Sequence, residues 1–106
     1  MTIAIYARAS SYDNAAYVEQ VVHFLNKEGV DVIIHKAYYD YLKTTSNFKL
    51  ELNTYSNSED LISKAFYLIC LGGDGTMLET ISFVKNSGIP ILGVNTGRLG
   101  FLASVN

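Results

Sequence analysis

The chain alternates between short, mainly apolar runs and longer stretches in which apolar positions recur every three or four residues. Runs of the first kind occupy residues 2–7 (Thr-Ile-Ala-Ile-Tyr-Ala), 30–35 (Val-Asp-Val-Ile-Ile-His), 66–70 (Phe-Tyr-Leu-Ile-Cys) and 89–94 (Ile-Pro-Ile-Leu-Gly-Val). Each has the length of a strand, and strands apolar at consecutive positions are covered on both faces, as in a parallel sheet. Between the first two, Val18, Val21, Val22 and Leu25 fall on one face of a helix that Asp13 can cap and Gly29 ends. Tyr12 and Tyr17 have the spacing of a hydrophobic staple at its start. The strand–helix–strand order predicts an α/β domain, an open parallel sheet with helices on both faces, spanning residues 1–106.

The middle of the chain is less regular. Tyr38-Tyr39-Asp40-Tyr41-Leu42 suits a short helix, Thr44-Thr45-Ser46-Asn47 a loop, and residues 36–55 suggest no function. Ser56-Asn57-Ser58-Glu59 has the form of a capping box opening a helix that runs through Lys64. Residues 76–85 carry Met77, Ile81 and Val84 at helical spacing.

Two junctions between these elements carry candidate chemistry. Directly after the third apolar run the chain reads Leu71-Gly72-Gly73-Asp74-Gly75-Thr76. Gly72, Gly73 and Gly75 can adopt positive φ and carry no side chain, so an anionic group can approach the main chain. Asp74 stands among them as the one ionisable group, and the helix that follows aims a partial positive charge at the loop. The same residues also make good turn chemistry. After the fourth run comes Asn95-Thr96-Gly97-Arg98-Leu99-Gly100-Phe101-Leu102. If the two strands are parallel, both loops open on one edge of the sheet, where such folds bind ligands. Asn95 and Thr96 can hydrogen-bond a sugar or phosphate, Arg98 can pair with phosphate, and Phe101 can lie against a base. The alternatives are a turn, a surface charge and a core aromatic.

Composition narrows the function classes. A chain of 106 residues with 49% hydrophobic content can bury a core without metal or disulfide staples. A net charge of −2 without a Lys/Arg cluster lacks the electrostatic footprint of a nucleic-acid binder, so the eight tyrosines are assigned to core edge and surface. Cys70 is the one cysteine and suits a buried structural thiol in a reducing cytosol better than a nucleophile. His23 and His35 lack partnering ligands, so no protein metal site is expected. No apolar run approaches the roughly 20 residues of a membrane span, and no signal peptide is read at Met1, so a cytoplasmic protein without membrane association is expected.

At the two loops the chain resembles the NAD kinases, through residues 71–78 (LGGDGTML) and 92–103 (LGVNTGRLGFLA), about a fifth of the chain. Gly-Gly-Asp-Gly is shared with diacylglycerol, sphingosine and phosphofructo-kinases. The second loop discriminates, because lipid kinases of this type carry Leu-Gly-Thr-Gly-Asn-Asp there. The resemblance implies a Rossmann-like N-terminal domain of the NAD kinase and diacylglycerol kinase type. It also implies phosphorylation of the 2′-hydroxyl of the adenosine ribose of NAD, giving NADP, by ATP or polyphosphate with Mg²⁺ or another divalent cation. Asp74 matches the family's acid toward that hydroxyl, proposed as general base, although an unperturbed Asp, with a pKa of about 3.9, takes the proton only late unless desolvated. Gly73, Asp74, Gly75, Asn95 and Phe101 are the implied substrate-binding residues, with Phe101 near adenine.

Glu79 departs from the family, which often has Arg or His there, so a cationic contact to NAD phosphate is absent or comes from elsewhere. Its simplest reading is a solvated carboxylate in the first turn of a helix. The family pattern continues into a β-rich C-terminal domain with an Asn-Glu pair, which residues 1–106 lack. These residues are therefore expected to be an inactive N-terminal fragment of an enzyme that assembles as a dimer or tetramer. Two other readings stay open: a lipid or sugar kinase of the same superfamily, and a non-catalytic nucleotide-binding module. Neither Gly-x-Gly-x-x-Gly nor Gly-x-x-x-x-Gly-Lys-Ser/Thr is present.

Overall fold

The computed structural model describes residues 1–8, 15–45, 48–84, 87–94 and 102–105, and of Asp74 and residues 102–105 the backbone alone. Six strands and four helices follow in the order β1 (Thr2–Ala7), α1 (Ala15–Lys27), β2 (Asp31–His35), α2 (Lys36–Thr45), β3 (Asn53–Tyr55), α3 (Ser58–Lys64), β4 (Tyr67–Leu71), α4 (Asp74–Val84), β5 (Ile91–Val94) and β6 (Leu102–Val105). They form one sheet of order β3-β2-β1-β4-β5-β6. The first five strands are mutually parallel, as expected, and β6 adds an antiparallel edge through Val94↔Leu102 to Ile91↔Val105.

Alternation along the strands divides the core. Ile5, Ala7, Ile34, Ile69 and Leu71 face a layer with Val18 and Val22 of α1 and Tyr38 and Leu42 of α2. Ala4, Ile33, Leu68, Cys70 and Ile91 face the other way, with Leu61 of α3 and Val84 of α4. Helices thus cover both faces, which explains why the strands are apolar at consecutive positions. The expected face of α1 is present, with Val18 and Val22 buried and Val21 and Leu25 packed at its margin. Gly29 follows that helix at φ +81°, a conformation favouring glycine. Asp13 and Tyr12, the expected cap and staple, lie outside the described residues.

Between β2 and β4 the structure differs from the sequence reading. Helix α2 begins at once after β2 and includes Thr44 and Thr45, expected in a loop. Their hydroxyls donate to the carbonyls of Asp40 and Tyr41, one turn back, at 2.7 and 2.6 Å. Tyr39 then ties down the returning chain: its hydroxyl donates to Leu50 O at 2.9 Å and accepts from Leu52 N–H at 3.4 Å. This leads into β3, which the sequence reading lacked. The cap of α3 is Asn57 rather than Ser56, since Asn57 Oδ1 accepts from Asp60 N–H at 2.8 Å, shifting the helix start by one residue.

Tyr55, on edge strand β3, reaches under the sheet and donates its buried hydroxyl to the Ile5 carbonyl of β1 at 2.8 Å. Deleting that hydroxyl in Tyr55→Phe removes a buried hydrogen bond and is expected to cost about 1–2 kcal/mol. A urea-denaturation midpoint equal to that of the parent would contradict this assignment.

Candidate functional site

The sheet reverses direction of connection between β1 and β4, and the carboxyl ends of those strands define one place on its edge. In open α/β sheets the crevice at that reversal is where ligands bind. Ala7 pairs with Leu71, so Arg8 and Gly72 leave the sheet side by side. Gly72 N–H donates to Val94 O at 2.9 Å, which brings the end of β5 to the same edge. The two loops therefore start together, as parallel strands require. Asn95, Thr96, Arg98 and Phe101 of the second loop lie outside the described residues.

The first loop is shorter than its sequence suggests, because α4 begins at Asp74, two residues before the expected start. Met77 N–H donates to Gly73 O at 3.1 Å, closing the first turn around Asp74 and Gly75. Of the three glycines only Gly72 has positive φ, at +141°. A Cβ there would also lie 2.8 Å from Thr76 Oγ1 and 3.0 Å from Thr76 Cβ. Gly73 has open space where a side chain would be. Gly75 is helical, and its missing side chain serves another purpose: a Cβ there would stand 3.0 Å from Nη2 and 3.3 Å from Nη1 of Arg8.

The inner face of α4 also differs from expectation. Thr76 and Thr80 are buried with Val84, whereas Ile81 is 41% exposed and Met77 packs only at the margin. The threonines bring the helix close to β4. Thr80 Oγ1 contacts Thr76 O at 2.8 Å and Cys70 Sγ at 3.2 Å, so its polar atom is satisfied in the core. Burial pushes the Cys70 thiol up, which suits a structural thiol and opposes a nucleophile.

Glu79 lies in the second turn of α4, not in the first turn expected for it, and both its oxygens are engaged. Oε2 accepts from Arg8 Nε at 2.7 Å and Oε1 from the Tyr6 hydroxyl at 2.9 Å. Burial, then the Glu79 hydrogen bond, push the Tyr6 phenol up to about 12, so it remains a neutral donor. The Tyr6 ring is itself fixed among His35, at 4.9 Å, and Phe83, at 5.7 Å. His35 Nδ1 is buried without a hydrogen-bond partner among the described residues, and burial lowers the pKa of the ring, which favours its neutral form. Arg8 was not singled out in the sequence. The available signal was its place directly after the first strand, the switch-point position of a doubly wound sheet.

Among the described residues no three His, Cys, Asp or Glu side chains gather to hold a metal ion. Nor is any helix among the described residues long and apolar enough to cross a membrane. A depression of about 860 Å³ lined by Thr2, Asp31 and Asn53 opens at the opposite, amino-terminal edge, away from the glycine loop.

The family model described as the ATP-NAD kinase N-terminal domain matches residues 3–106. The chain belongs to the NAD kinase family. The NAD kinase of Cytophaga hutchinsonii is 38% identical over 106 residues, covering 98% of this chain and 36% of that protein. The NAD kinase of Christiangramia forsetii is 33% identical over 105 residues, with 99% and 36% covered. The chain thus spans about a third of the length of these NAD kinase relatives. Its fold is similar to that in the crystal structure of yeast NADH kinase complexed with NADH, with a TM-score of 0.71 and 23% identity over 95% of this chain and 33% of that one.

The glycine loop gives a direct test of the packing between α4 and β4. Gly72→Ala combines positive φ with contact against Thr76 and is expected to destabilise the domain by roughly 1–3 kcal/mol. Gly73→Ala, with open space around it, should cost much less in the same urea titration. Equal midpoints for the two variants would contradict the local geometry.

Proposed function

We propose that the protein carrying this domain phosphorylates the 2′-hydroxyl of the adenosine ribose of NAD, yielding NADP. The observation that supports this reading most is the family match over residues 3–106, with the Gly-Gly-Asp-Gly loop at the switch point of the sheet. A family that uses that edge for a dinucleotide needs close backbone approach, an acid near the accepting hydroxyl and positive potential for phosphate. Gly73, with open space beside it, supplies the first, Asp74 the second and the amino end of α4 part of the third.

In this reading the 2′-oxygen bonds to the terminal phosphorus of the donor while the bond from that phosphorus to its bridging oxygen breaks. The electron pair leaves with ADP, or with the shortened chain when polyphosphate is the donor. Asp74 orients the hydroxyl and takes its proton late in the transfer, then returns it to water. Mg²⁺ enters with ATP, as part of that substrate. Asn95 binds the acceptor and Phe101 lies against adenine. A cytoplasmic location, supported by the buried free thiol of Cys70, and assembly as a dimer or tetramer complete the proposal.

The test is phosphoryl transfer by the full-length gene product offered NAD, NADH, diacylglycerol and fructose 6-phosphate with ATP and Mg²⁺. NADP should form, and Asp74→Asn should lower its rate by at least about a hundredfold. The 106 residues alone should show negligible turnover. Phosphate on a lipid or sugar would move the protein to a sister activity, and none on any acceptor would favour a binding module.

A further inference from the structure

Exposed apolar side chains are not spread evenly over the domain. Among the described residues seven large hydrophobics stand in solvent, and five of them, Met1, Phe24, Ile62, Phe66 and Tyr67, belong to segments that meet at the amino-terminal edge of the sheet, opposite the glycine loop. Backbone hydrogen bonds fix that placement. The Met1 carbonyl accepts from the N–H of Asp31, the first residue of β2, at 3.0 Å. Phe66 N–H donates to Thr2 O at 2.9 Å and Tyr67 pairs with Ile3, so Met1, Phe66 and Tyr67 sit at adjacent strand starts. Phe24 and Ile62 lie in the last turns of α1 and α3, which end at this edge from the two faces of the sheet. Single exposed hydrophobics are ordinary, whereas a cluster on neighbouring strands marks a surface that another segment covers. Asp31, Glu51, Asn53 and Lys64 line the depression on the β2–β3 side, so the cluster has a polar border there.

The direction of β6 indicates which segment that is. Strand β5 starts at this edge and β6 runs back against it, with Val105 opposite Ile91 and Ile91 beside Leu68 of β4. The backbone is thereby returned from the glycine-loop edge to the amino-terminal edge, where Val105 stands two strand spacings, about 10 Å, from the start of β4. The matching family model is that of an N-terminal domain, and the chain spans about a third of the length of its relatives, so most of such a protein follows this domain. We propose that in the full-length protein the segment following residue 106 packs across Phe66 and Tyr67, with Met1, Phe24 and Ile62 at its margins, through an apolar side of its own. Tethering gives that segment a high effective concentration at the cluster, an advantage that a second copy of the chain lacks. The proposal rests on family membership and strand direction, and not on the phosphoryl-transfer reading.

The experiment places the photo-crosslinking amino acid p-benzoylphenylalanine at Phe66 of the full-length gene product, an aromatic replacement for an aromatic. Lys49, exposed between α2 and β3, is the control position. After irradiation, the products are sized on a denaturing gel and the joined peptides are identified by mass spectrometry. A monomer-sized product joining position 66 to a peptide beyond residue 106 is expected, with that peptide not captured from position 49. A product of twice the mass would assign the cluster to a second copy and overturn the proposal. So would no crosslink, a crosslink confined to residues 1–106, or equal capture of the same peptide from position 49. As a second measurement, Phe66→Ser in the full-length protein should lower the thermal midpoint by about 2–4 °C or more through lost apolar burial, with Lys49→Ser unchanged. An unchanged midpoint for Phe66→Ser would contradict the proposal. Neither readout depends on turnover, so the outcome is separate from whether NADP forms.

Discussion

The pairing of β1 with β4 is the constraint on which the rest of the structure depends. It places the first strand at the centre of the sheet, between β2 and β4, so that the chain must build outward in one direction and then return to build in the other. That reversal leaves a gap in helix coverage at the carboxyl ends of two adjacent strands. Everything with chemical character among the described residues at that edge is delivered by it: Arg8 from β1, the glycine loop from β4, and Glu79 from the helix that follows. The same register brings Val94 against Gly72, so the loop after β5 starts from the same point.

The close seat of α4 is the second requirement. A helix that began farther from β4 would carry its amino end away from the edge and separate Glu79 from Tyr6 and Arg8. Small residues allow the approach. Gly72 leaves room for Thr76, and Thr80 sits on Cys70 with its hydroxyl satisfied by the preceding turn. The aromatic group of Tyr6, His35, Tyr55 and Phe83 then fills the space between that helix and the first three strands. Packing under the sheet and polar order at its edge are therefore coupled through Tyr6, whose ring belongs to the first and whose hydroxyl to the second.

Much of this was readable in the residues, for definite reasons. Strands covered on both faces leave continuous apolar runs, so β1, β2, β4 and β5 were legible, and with them the parallel order and the common edge of the two loops. Strand β3 was not, because three residues at a sheet edge, two of them polar, leave no period to detect. The face of α4 was misread because burial there follows Thr76 and Thr80, whose value lies in small size and internal hydrogen bonding, while the larger Ile81 faces outward. The end of α2 was missed because threonines that back-bond to the preceding turn look like loop residues in sequence. Arg8 and Glu79 illustrate a further limit. Each looks like an ordinary surface charge, and only the crossover topology makes them partners. Family motifs pointed to Asp74 and its glycines through local sequence, whereas the cation beside them arises from a distant segment.

The central claim is that nucleotide binds at the β1–β4 edge over the first turn of α4. The most direct measurement is an amide-resolved NMR titration of the full-length gene product with NAD. The account predicts that the largest shifts fall on Arg8, Gly72, Gly73 and Gly75, with Thr2, Asp31 and Asn53 at the opposite edge of the sheet unmoved. Shifts concentrated at Thr2, Asp31 and Asn53, or a saturable response that leaves Arg8 and the glycine loop unchanged, would contradict it.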